Sequence, residues 1–244
     1  MNEHLTLEQR LHNALACQEV EKLQSIHSYL HGRGYAKEEW ENIWAQNNEV
    51  SWAHSFGRMR GFASVWFGSV GEYDAQSYRN YLDLFPVYPQ VIGKDPRPIH
   101  VCPMHTTNTG VIEVAEDGKT ARATFFTPGI MFSTLNPERK KWSNYLWERY
   151  GADFVYEDGR WLFLHEQVCP DFMGTTDFGN CALAEVVRLQ KHEAEQELHV
   201  SCPPVEDPGP LHYPSSPVQP LQNTVPFPTP YRTMDDENTF TPSR

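Results

Sequence analysis

Two Asp-Gly turns, EDGK at 116–119 and EDGR at 157–160, constrain this chain more than any other feature. The pair suits a tight hairpin because both residues tolerate positive φ. Alternating apolar residues flank each turn: HTTNTGVIEVAE and TARATFFTPG around the first, WSNYLWERYGADFVYE and WLFLHEQVCP around the second. The second half of the chain therefore reads as an antiparallel meander. Upstream the period changes. Leu5 to about Gly32 contains neither proline nor an earlier glycine, and Leu7, Leu11 and Leu15, then Leu23, Ile26 and Leu30, recur at three and four residues. That predicts a long amphipathic helix closed at HGRG. AKEEWENIWAQ predicts a second, shorter helix, EVSWAH a strand, GRMRG a turn, and FASVWFGSVGEYDAQSYRNYLDLF further helix ended by prolines.

Helices first and strands second predict an α+β domain, a curved antiparallel sheet wrapped around N-terminal helices, over residues 1–175. CALAEVVRLQKHEAEQEL predicts a C-terminal helix within 176–202. From 203 to 244 the chain carries 11 of its 19 prolines, which forbids helix or central strand there. Tyr213, Phe227, Tyr231 and Phe240 are spaced along this segment, so an extended arm lying on a protein surface is expected, its own or a neighbour's.

The charge balance, 20 basic against 32 acidic residues for a net charge of -12, disfavours nucleic acid and anionic membrane as partners. No apolar run approaches the roughly 20 residues of a bilayer span, and MNEHLTLEQR lacks the order of a secretion signal. A cytoplasmic location is expected. The five cysteines form no C-x-x-C pair, so reduced thiols are the expectation.

The order of these elements, the IWAQNNEVSWAHSFGRMRG block, the MHTTNTGVIEVAEDGKTARATFFTPG hairpin and the closing YGADFVYEDGRWLFLHEQVCP together resemble a SnoaL-like domain of the nuclear transport factor 2-like superfamily. The resemblance spans roughly residues 15–175. It implies a cone-shaped fold with a deep pocket, used by dehydratases, isomerases and plain binding proteins. In scytalone dehydratase and similar cofactor-free lyases a histidine at the start of the first hairpin strand is the general base, and that position here is His105. The carboxylate that orients such a base has no counterpart in SIHSYLHGRG, where His31 takes the place and His27 lies one turn earlier.

Strand parity supplies other candidates. Leu146, Glu148, Tyr150, Ala152 and Phe154 share one face of the long strand, and Trp147, Arg149, Asp153 and Val155 the other. By the resemblance the first set faces the pocket. Glu148 would then be an acid on an apolar face, with a raised pKa, and Tyr150 a hydrogen-bond donor to substrate. Trp44, Trp52, Trp66, Phe67 and Phe126 are available to wall the pocket. His165 is read with Trp161 and Phe163 as sheet packing. His100, Cys102 and His105 fit no standard zinc spacing, so no metal is expected.

These readings converge on a cofactor-independent lyase, a dehydratase acting on a small, mostly apolar cyclic or aromatic molecule. The alternatives are a double-bond isomerase using the same pocket and a non-catalytic binding protein. Pairing of subunits through the outer sheet face, where Tyr145, Trp147 and Val155 lie, is implied by the resemblance, giving a homodimer or higher oligomer.

Overall fold

A computed structural model describes residues 4–31, 36–54, 57–61, 101–133, 142–175, 207–208, 225–235 and 238–240. The helix predicted near 62–85, the C-terminal helix of 176–202 and the first part of the arm lie outside them, apart from Asp207–Pro208.

Helix α1 (Leu7–His31) and the shorter α2 (Ala36–Ile43) precede eight strands. These are β1 (Ser51–His54), β2 (Gly57–Arg60), β3 (Val101–His105), β4 (Asn108–Val114), β5 (Thr120–Ser133), β6 (Trp142–Glu157), β7 (Arg160–Thr175) and the two-residue β8 (Asp207–Pro208). One sheet joins them in the order β3-β5-β6-β7-β1-β2-β8, with β4 also paired to β5.

The β6–β7 hairpin turns through Asp158 (φ 50) and Gly159 (φ 80), as the Asp-Gly pair requires. The β4–β5 connection uses Gly118 (φ 69), and its Asp117 carboxylate accepts the Lys119 N–H at 2.9 Å. A Cβ at Gly118 would stand 2.8 Å from His12 Nε2, so this glycine also admits α1 against the turn.

Three expectations are corrected. The sheet is mixed, because β1 runs parallel to β7, with Ser51 opposite His165 and Trp52 opposite Glu166. GRMRG is not a turn: Gly57–Arg60 forms β2, paired antiparallel with β1. The leucines of the first half of α1 do not face the core. Leu7, Leu11 and Leu15 are 81%, 59% and 53% exposed, while Asn13, Ala16, Val20, Leu23, Gln24 and His27 are buried. The buried stripe is therefore a different row of the same helix, one that includes the polar Asn13, Gln24 and His27.

The core lies between α1, α2 and one face of the sheet. Trp44, Phe154 and Phe163 are fully buried, with ring centroids 5.4 Å apart for Trp44 and Phe163 and 4.7 Å for Phe154 and Phe163. Burying aromatic area of this kind contributes roughly 25 cal/mol per Å². Part of the C-terminal arm lies on the other face. Val225 and Phe240 pack with Cys169, and Gly151 allows it: a Cβ there would meet Val225 Cγ1 at 2.8 Å and Phe240 Cε1 at 2.9 Å. No helix among the described residues is long and apolar enough to cross a membrane.

Candidate functional site

The core-facing side of β6 carries Leu146, Glu148, Tyr150, Ala152 and Phe154, all buried, so the parity read from the sequence matches this strand. Two of them are polar. Glu148 lies opposite Thr127 on β5, and Tyr150 opposite Phe125 on β5 and Val168 on β7. The Tyr150 hydroxyl donates to Glu148 Oε2 at 3.4 Å. Burial pushes the Glu148 carboxyl up to about 8; the Tyr150 hydrogen bond opposes this, and the charges of Glu166 and Asp171 add to it. Burial, together with the neighbouring carboxylates, likewise holds the Tyr150 phenol well above its usual range.

Helix α1 brings His27 to this place. Its Nδ1 is 2.8 Å from Glu39 Oε1 of α2, and its Nε2 is 3.6 Å from Glu166 Oε1 of β7. The imidazole centroid is 6.0 Å from the Tyr150 ring and 5.6 Å from that of Phe163. Burial works against a charged ring here, but Glu166 and Glu39 outweigh it and raise His27 to about 9. His27 is therefore an imidazolium at neutral pH, clamped between carboxylates, and is not a free base.

The two helices and two strands, β6 and β7, thus converge on a cluster of His27, Glu39, Glu148, Tyr150 and Glu166, each 3% exposed or less. The arrangement holds a proton on Glu148 at neutral pH beside groups fixed in charge, which is the separation of titrations that acid/base sites use. Among the described residues no three His, Cys, Asp or Glu side chains are disposed to hold a metal ion.

Of the residues singled out in the sequence, His27, Glu148 and Tyr150 meet in this cluster, and Trp44 and Trp52 lie in the core around it. Phe126 does not. It alternates to the opposite face from Phe125 and Thr127, where the Arg149 guanidinium lies 4.8 Å over its ring. His105 ends β3 with its backbone opposite Gly129, itself opposite Leu146, and His31 is the last residue of α1. The side chains of His105 and His31 lie outside the described residues, as do Trp66 and Phe67 entirely.

Glu39 and Glu166 were missed. Glu39 sits in the charge-rich AKEEWENI, which reads as a solvated helix. The β6–β7 pairing shifts register between Trp147 and Glu148 and between Asp153 and Phe154, and the second shift, which lies between the turn and Glu166, obscured that residue. The second shift places Phe163 opposite Phe154 in the core and His165 opposite Asp153 on the other face, correcting the shared face assigned to Trp161, Phe163 and His165. A carboxylate adjacent to a histidine, as in HEQV, was the available signal.

The fold and this cluster define an α+β protein with a titratable interior. No family model matches the chain, and no curated protein matches it in sequence. Several solved structures resemble it at low sequence identity. A protein provisionally assigned as a scytalone dehydratase from Novosphingobium aromaticivorans is 15% identical, covering 72% of this chain and 94% of its own, at TM-score 0.44. A nuclear transport factor 2-like protein with a cystatin-like fold from the same organism is 16% identical, covering 69% and 90%, at TM-score 0.42. A hexachlorocyclohexane dehydrochlorinase from Novosphingobium barchaimii is 12% identical, covering 72% and 98%, at TM-score 0.45. Likenesses of this degree assign no chemistry to the chain.

Proposed function

We propose that the protein is a cofactor-independent lyase, a dehydratase that moves protons by general acid/base catalysis on a small, mostly apolar cyclic or aromatic molecule. The observation that carries this reading is Glu148, a buried carboxyl raised to about 8 and bonded to the Tyr150 hydroxyl. A carboxyl that keeps its proton at neutral pH can give it to a leaving hydroxyl. His105, whose backbone partner Gly129 lies two residues along β5 from the Thr127–Glu148 pair, is the base in this scheme. It takes the proton next to a carbonyl as the C–O bond breaks, so that a C=C bond forms and water leaves with the proton of Glu148. Exchange with solvent restores both groups. Tyr150 orients the Glu148 carboxyl, His31 supports His105, and Trp44 and Trp52 wall the site.

A second reading, a binding protein, is favoured by the clamping of His27 between Glu39 and Glu166, which freezes the one described imidazole of the cluster. Either reading goes with a homodimer or higher oligomer and a cytoplasmic location, without nucleic-acid or membrane partners.

The test is a panel of hydroxylated cyclic ketones followed by the absorbance of a new conjugated double bond. Turnover that falls by about 10²-fold or more in Glu148→Gln, with the fold retained, supports the lyase. A product of unchanged mass points to the isomerase. Binding with no change in the ligand points to the binding protein.

A further inference from the structure

Two fully buried polar side chains of α1 and β5 have no hydrogen-bond partner among the described residues. Gln24 is 0% exposed, and neither its Nε2 nor its Oε1 is bonded; Thr127 is 0% exposed and its Oγ1 is unbonded. Gln24 lies three residues before His27 on the buried row of α1, and Thr127 lies directly opposite Glu148 on β5. Gln24 thus belongs to the helix side of the core and Thr127 to the sheet side. A buried amide or hydroxyl left unbonded costs roughly 1–3 kcal/mol, and an apolar side chain of similar size removes that cost. Side chains that lower stability in this way at the edge of a titratable cluster have the character of groups kept for a ligand.

Their chemistry specifies its complement. Gln24 offers one donor and one acceptor side by side, and Thr127 one hydroxyl that serves either way. We propose that Gln24 and Thr127 are substrate-binding residues that recognise a β-hydroxy carbonyl compound. The Gln24 amide N–H donates to the substrate carbonyl, its oxygen accepts from the substrate hydroxyl, and Thr127 bonds that hydroxyl on the side nearest Glu148. This deepens the dehydratase reading and rests on it, because a β-hydroxy carbonyl carries both the acidified C–H and the leaving hydroxyl. The apolar remainder of the substrate meets the aromatic core.

Gln24→Met and Thr127→Val keep volume and discard the hydrogen-bonding atoms. Two measurements are made on wild type and both variants: the melting temperature without ligand, and binding of 3-hydroxycyclohexanone and of cyclohexanone by NMR titration up to millimolar concentration. The melting temperature is expected to stay level or rise in both variants. The wild type is expected to favour the hydroxyketone by about 10-fold or more, and each variant to lose most of that preference. A fall of several degrees on substitution would show that the two side chains serve the fold, and would overturn the proposal. So would equal preference in wild type and variants, as for side chains that only hold water, or absence of binding by either ketone. Selective binding of the hydroxyketone without its dehydration leaves the recognition standing and removes the lyase reading alone.

Discussion

The backbone N–H of Phe240 donates to the buried carboxylate of Asp153 at 2.8 Å, tying the last described residue of the chain to the middle of β6 across 87 positions. The same oxygen of Asp153 accepts from Thr239 Oγ1 at 2.7 Å and lies 2.9 Å from His165 Nδ1, while Arg122 Nε approaches the other oxygen at 3.3 Å. The Arg122 guanidinium also lies 4.4 Å over the Phe240 ring. The arm is thus fastened by one carboxylate, with an aromatic ring as its plug.

Removing residues 203–244 is expected to lower the melting temperature and the solubility, since it uncovers apolar surface on the sheet. Phe240→Ala in the full chain should cost roughly 2–4 kcal/mol, somewhat under the loss for a deep core phenylalanine. Gly151→Ala should reproduce much of this from the other side, because its new methyl would occupy the space of Val225 and Phe240. Thermal melts that coincide for full-length and truncated protein would refute the fastening.

Stability should fall as pH rises through neutrality. Glu148 is raised from 4.5 to about 8, so its contribution is fully present below about pH 4.5 and is lost as pH climbs through about 8. His27 is raised from 6.5 to about 9, so its contribution is present below about pH 6.5 and is lost through about 9. Both act in the same direction. Chemical denaturation between pH 5 and 9 should show declining stability, and Glu148→Gln should flatten the decline and stabilise the protein most at the alkaline end.

His27→Gln should be among the most destabilising single changes at neutral pH, costing roughly 3–5 kcal/mol, because it leaves the buried Glu39 and Glu166 carboxylates facing a neutral amide. Combining it with Glu166→Gln should recover part of the loss. A double-mutant cycle that gives simple additivity would show that the 3.6 Å approach carries no coupling.

His105→Gln should retain the fold and lower turnover by about 10²-fold or more, whereas His31→Asn should cost less and His31→Asp should supply the fixed charge that an imidazolium prefers. Chelators should leave the rate unchanged. Full activity in folded His105→Gln protein would remove the assignment of His105 as the base.

Tyr145 and Trp147 are 43% and 48% exposed on the face that the arm covers further along β6. Light scattering at micromolar concentration should report a dimer or larger, and Trp147→Glu should shift it toward monomer.

Much of the sheet was legible from local chemistry. The Asp-Gly turns fixed where β6 meets β7, and simple alternation along β6 put Glu148 and Tyr150 beside Leu146 and Phe154. What alternation could not foresee was anything decided by a distant segment. Asp153 reads as an outward, solvated acid and is fully buried because the arm returns to it. Glu39 reads as one of several helix charges and is buried because α1 presents His27 to it. The bulge at Asp153/Phe154 breaks the period on which the reading of His165 depended. Leu7, Leu11 and Leu15 mark a helix correctly and mislead about its inner side, since a row of leucines and the row actually buried differ by a fraction of a turn.

The parallel pairing of β1 with β7 has a kinetic consequence. The β6–β7 hairpin can zip outward from Asp158 and Gly159 with little chain to close, but Trp52 reaches its place opposite Glu166 only after more than a hundred intervening residues have been looped out. Seating β1 also draws in Trp44, whose backbone bridges to Phe163, and with it α2 and Glu39. The meander is expected to be sound early in refolding while the His27 clamp is still open, so the charged interior would be the last part of the molecule to leave water.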